Sequence, residues 1–110
     1  MNRTGIIQEQ DPFIYVDASL HSGNRQQFYN QIQNLLWQQA AKVGEVQSAS
    51  LNKQNLVFLL KEKKVPSETI NDLIRILNEC ELSLYTPDHS AADLILIRDK
   101  ARQIFDSLNH

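Results

Sequence analysis

The sequence predicts an all-α fold: a small bundle of four main helices preceded by a short leader helix. Three observations carry this expectation. Apolar residues recur mostly at steps of three and four, the period of an α-helix, instead of alternating as in a strand. Only three glycines and three prolines punctuate 110 residues, so the segments between them are long. Several segment ends also carry helix-boundary chemistry, with asparagine at starts and glycine or lysine at ends.

Residues 1–12 are polar, contain Gly5 and Pro12 and show no period, so they form a flexible N-terminal segment, frayed or left from a linker. A single helical domain over 13–110 follows. Phe13 to His21 is the leader, with Phe13, Val16, Ala18 and Leu20 as its apolar residues and Ser22-Gly23 as its stop. It is too short to be stable unless its face is packed. The first long helix runs from the cap Asn24 to Val43, with Gly44 expected in the left-handed position beyond the helix end. Its stripe is Phe28, Ile32, Leu35, Leu36, Ala40 and Val43, and Trp37 falls well away from the centre of that stripe, so it faces a second helix, a partner or water.

The next helix starts near Asn52, buries Leu56, Leu59 and Leu60 with Val57 and Phe58 widening the arc, and ends in Lys61-Glu62-Lys63-Lys64, where cations complement the helix dipole. Val65-Pro66-Ser67-Glu68 is a loop and helix start. The helix it opens runs to Tyr85, with Ile70, Leu73, Ile74, Leu77, Leu84 and Tyr85 on its buried face and Thr86-Pro87-Asp88 as its stop. Ser90-Ala91-Ala92-Asp93 is a capping-box signature for the last helix, whose buried face is Leu94, Ile97, Ala101, Ile104, Phe105 and Leu108.

Composition excludes more functions than it offers. At 12.7 kDa, with 42% hydrophobic and 22% charged residues, the chain suits one domain around one core. A net charge of −2 lacks the positive field that nucleic-acid backbones require. Neither a membrane-spanning run nor a secretory signal is evident, and a single cysteine, Cys80, points to a soluble chain in a reducing compartment.

No catalytic, cofactor or metal site is expected. His21, His89 and His110 are isolated from one another, and no paired cysteine or histidine motif exists. Cys80 and His89 lack a third, orienting residue, and Cys80 is expected buried and unreactive. Asp88 and Asp93 are accounted for by capping. The lysine cluster 61–64 serves as a solvated helix cap before it serves as an anion site. The helix pair over 52–77 offers the alternative of a helix-turn-helix-like regulatory module binding nucleic acid. Its second helix opens with Glu68 and Asp72, however, where a recognition helix needs cations.

Two features call for more than packing. Glu81 falls close to the middle of the face formed by Leu73, Leu77 and Leu84, so either the helix ends before it or it is buried, as a structural polar anchor to a neighbouring helix start or a hydroxyl. Within Leu94-Ile95-Leu96-Ile97, only Leu94 and Ile97 belong to the core stripe. Ile95 and Leu96 therefore pack on the leader or, together with Trp37, form a docking surface for a protein partner.

The spacing of Phe28-Tyr29 to Leu36-Trp37, and Glu79-Cys80-Glu81 followed by Tyr85-Thr86-Pro87, resemble the C-terminal domain of BatD-type aerotolerance proteins of bacteria over roughly residues 13 to 108. Two departures accompany the resemblance. The entry segment from Ile6 to His21 is short and nearly free of Lys and Arg where the family has a long basic helix, and Leu84 stands where the family often has arginine. The resemblance implies a helical tail on the cytoplasmic side of the inner membrane, belonging to a membrane-anchored parent that acts in oxygen or stress tolerance. It further implies a non-catalytic interaction role with other Bat proteins or an associated MoxR-type ATPase as partners.

Overall fold

The computed structural model describes residues 11–85 and 91–108. All regular structure among them is helical, with five α-helices: α1 Ile14–Ser22, α2 Arg25–Gly44, α3 Lys53–Glu62, α4 Ser67–Tyr85 and α5 Ala91–Leu108, plus a 3-10 turn at Ser48–Ser50. Three helices are long and two, α1 and α3, are short, at 9 and 10 residues. The expected stop at Thr86-Pro87-Asp88, the cap at Ser90, and His89 and His110 lie outside the described residues.

α2 is the hub. Among the described helices it packs against α1, α3, α4 and α5, whereas α1 touches only α2 and α5, and α3 only α2 and α4. A helix surrounded in this way cannot keep a narrow apolar stripe, and α2 buries Tyr29, Gln39, Ala41 and Gly44 in addition to Phe28, Ile32, Leu36 and Ala40. The shared core takes Leu36, Leu56, Leu60, Leu73, Leu77, Cys80, Ile97, Ala101 and Ile104, with Leu35, Val43, Ile74 and Phe105 partly buried at its edge.

Local chemistry sets the helix limits. Asn24 caps α2 by accepting from Gln27 N–H at 3.1 Å, and Asn52 opens α3 through a reciprocal box with Asn55, at 2.9 and 2.8 Å. Three helices end in the same way, with a left-handed residue whose N–H and that of its successor close back on the last turn. At α1 that residue is Gly23 (φ 77), with Asn24 N–H bonded to Ser19 O at 3.1 Å. At α3 it is Lys64 (φ 65), with Val65 N–H on Leu60 O at 3.0 Å.

At α2 the left-handed residue is Glu45 (φ 59), not the expected Gly44. Gly44 remains helical and buried against Leu59, because the bonds from Glu45 and Val46 back to Lys42 and Ala41 extend the helix by one residue. Other expectations also shift. Ala18 of α1 is exposed while Ser19 is buried, Phe58 is 63% exposed, and Leu59 is only half-buried. Asp11, expected in the flexible segment, accepts from Phe13 N–H at 2.9 Å and from Arg102 at 2.8 Å.

Candidate interaction surface

α5 presents two faces that the sequence mixes. Leu94, Ile97, Ala101, Ile104 and Leu108 are buried, while Ile95 and Leu96, out of phase with them, stand 49% and 66% exposed. The alternative in which Ile95 and Leu96 pack on the leader does not hold, because α1 meets α5 further along, through Asp17 and Phe13. Trp37, the third expected contact, meets the alternative of facing other helices. It is half-buried and packed against the core, because the arc of α2 widens to reach it.

Further large apolar side chains stand in water that the sequence did not single out: Tyr15 at 64%, Leu82 at 65%, and Ile14 at 43%. For α1 the signal was present. Phe13-Ile14-Tyr15-Val16 is a run of four apolar residues, and a helix lying on a surface can bury only about two of four consecutive positions. Phe13 and Val16 take the inside, leaving Ile14 and Tyr15 out.

Glu81 is corrected. Its side chain is 56% exposed and accepts a hydrogen bond from Lys53 Nζ at 2.7 Å, so it ties α4 to the first residue of α3 in water instead of in the core. Lys53 donates to Asn78 as well. The buried line of α4 runs through Leu77, Cys80 and Ser83, and Glu81 sits about 100° round the helix from Cys80. Ser83 takes the inner position at this end, and its hydroxyl hydrogen-bonds the buried Tyr29. Burial raises the Tyr29 phenol above its ordinary value, with the Ser83 bond opposing the rise.

Two of the groups with reactive potential, Cys80 and Lys63, are buried or paired. The Cys80 thiol is buried, and desolvation, aided by the negative charge of Glu79, pushes it up to about 12. A thiol so placed holds almost no thiolate near neutrality. Lys63 of the basic cluster pairs with Glu45 at 3.0 Å. The cleft of about 340 Å³ beside the start of α2, which includes Asn24, Arg25, Gln26, Tyr29 and Ser83, has no carboxylate, imidazole or thiol among its described lining residues. Among the described residues no group of three or more His, Cys, Asp or Glu is placed to hold a metal ion, and no helix is long and apolar enough to cross a membrane.

Charge-assisted contacts join α1 and the preceding Asp11 to α5. Arg98 grips Asp17 in a two-pronged pair at 2.8 and 2.9 Å, which raises the guanidinium above its ordinary value. Asp11 is held below the usual carboxylate range, first by the Phe13 N–H and then by Arg102.

No family model matches the chain, and no curated protein or solved structure matches it.

Proposed function

We propose that this chain is a non-catalytic protein-interaction domain that docks a partner through the face of α5 carrying Ile95 and Leu96. A single exposed leucine is ordinary on a protein surface. Two consecutive large aliphatic residues standing out of a helix whose core stripe is already complete are the observation that carries the proposal. In this reading α2 to α5 form the working bundle and α1 is a leader attached to it. The likeness of residues 13 to 108 to the BatD-type tail supplies the setting. The domain would lie on the cytoplasmic side of the inner membrane in its parent and bind another Bat protein or the MoxR-type ATPase.

The test is calorimetric titration of the ATPase, and separately of the other Bat proteins, with the domain and with an Ile95→Asp/Leu96→Asp variant. Burying two aliphatic side chains in an interface is worth about 3 kcal/mol together, so the variant should bind about 100-fold more weakly with its helical content unchanged. Equal binding by the two forms would remove this surface from the interface. No binding by the wild-type domain to any of these proteins would reject the BatD setting.

A further inference from the structure

α1 owes its helical state to what it leans on. Nine residues are too few to hold a helix alone in water, and Phe13 at its start provides no side-chain cap. Its attachments are of two kinds. Phe13, Val16 and Ser19 are buried. Beside them, two guanidinium groups of α5 form a clamp. Arg98 holds both oxygens of Asp17, Arg102 reaches Asp11 at 2.8 Å, and the two cations lie 5.6 and 5.1 Å from the centre of the Phe13 ring. The Phe13 ring also meets Phe105 edge-on at 5.5 Å.

On the other side of α1, the link to α2 turns on one left-handed residue, Gly23, and no heavy atom stands within 4 Å of where a Cβ would be. α1 adds Phe13 and Val16 to the core, while α2 to α5 supply the greater part of it, including Leu36, Leu56, Leu60, Leu73, Leu77 and Ile97. One segment is thus held by two buried apolar side chains, a partly exposed ionic clamp and a single-residue hinge, beside a body that supplies most of the core.

We propose that α1 is a detachable strap: it opens as a unit about Gly23 when the Arg98–Asp17 and Arg102–Asp11 clamp loosens, while α2 to α5 stay folded. The proposal rests on α2 to α5 forming the bundle, and not on which partner the domain binds. Opening frees Phe13 and Val16 to join the already exposed Ile14 and Tyr15, and it uncovers the surfaces of α2 and α5 on which α1 lies. The clamp side chains are only partly buried, at 24% exposure for Arg98 and 34% for Asp17, so salt reaches them. The apolar core of the bundle has no such sensitivity to screening.

Amide hydrogen exchange on the full chain tests the strap, comparing amides of residues 17–22 with those of 73–80 in low and high salt. Two variants act on different parts. Asp17→Asn removes the charge that Arg98 grips. Gly23→Ala removes no contact but makes the left-handed hinge costly and favours helical continuation when α1 is open. In the wild type, residues 17–22 should exchange at least about 100-fold faster than 73–80 and speed up several-fold with salt. Each variant should raise exchange of 17–22 by about tenfold and leave 73–80 unchanged, and Asp17→Asn should lose most of the salt response. A single protection level shared by both segments, or variants that shift both by the same factor, would show that α1 opens only with the whole domain and would overturn the proposal.

Discussion

Exchanging the roles of Gly44 and Glu45 should stabilise the domain. The glycine sits one residue before the position that needs it. Gly44 is helical and buried, and a Cβ there would lie 3.8 Å from Leu59 Cβ and Cδ1 and from Val46 Cγ2, which is ordinary contact distance. Gly44→Ala therefore gains helix propensity and reduces the freedom of the unfolded chain without a clash, about 0.5–1 kcal/mol. Glu45, at φ 59 and ψ 41, bears the left-handed conformation that glycine adopts at little cost. Glu45→Gly relieves about 1 kcal/mol of that cost and gives up the ion pair with Lys63. Since the Glu45 side chain is 76% exposed, the pair is worth at most a few tenths of a kcal/mol.

The double variant should gain about 1–1.5 kcal/mol, or roughly 4–6 °C in Tm for a domain of this size. Far-ultraviolet circular dichroism during thermal unfolding measures it. Were Gly44 itself the left-handed residue, as the sequence alone implies, Gly44→Ala would instead lower Tm, and the assignment of the α2 end would be wrong.

Three further outcomes follow from burial and exposure. Leu77→Ala, at a position 1% exposed in the shared core, should cost about 2–5 kcal/mol in chemical denaturation, and a loss below about 0.5 kcal/mol would place Leu77 outside the core. Cys80 should resist thiol reagents until the protein unfolds. Its folded thiol titrates at about 12 against an ordinary 9.0, so the folded state holds the proton more tightly and stability should fall as pH rises through that window. A Cys80→Ala variant lacks this contribution, and identical pH profiles for the two proteins would contradict the burial of the thiol. Glu81→Ala should change stability by no more than about 0.5 kcal/mol, because its pair with Lys53 is solvated, whereas a loss of about 1–3 kcal/mol would restore a buried anchor.

The helices themselves were legible because strong local signals bound them. Asn24 and Asn52 cap where the sequence places them, and the three- and four-residue spacing of Leu73, Leu77, Ile97, Ala101 and Ile104 points those residues inward. What the sequence blurs is set by neighbours. Trp37 looks peripheral on a helix with one partner, but α2 has four, so its buried arc extends to that ring. Glu81 looks central if the face is drawn through Leu73, Leu77 and Leu84. The buried line instead passes through Cys80 to Ser83, because the Ser83 hydroxyl has a buried partner in Tyr29. A hydrogen bond between residues so far apart in the chain leaves no trace in periodicity. The same holds for the pairing of Asp17 with Arg98, which only the antiparallel lie of α1 on α5 brings together.

The pair on α5 was readable only as two alternatives: Ile95 and Leu96 are out of phase with the core stripe, and whether a neighbour covers them, as neighbours cover Trp37 on α2, is decided by where α1 lies.

Nuclear magnetic resonance titration of the isotope-labelled domain with each proposed partner, another Bat protein or the MoxR-type ATPase, tests the proposed docking face most directly. Amide signals of Ile95, Leu96 and their exposed neighbours Asp99 and Gln103 on α5 should shift or broaden first. Signals of the α3 face around Lys61 should stay in place. Perturbation centred on the lysines at the end of α3, with α5 silent, would contradict that docking face.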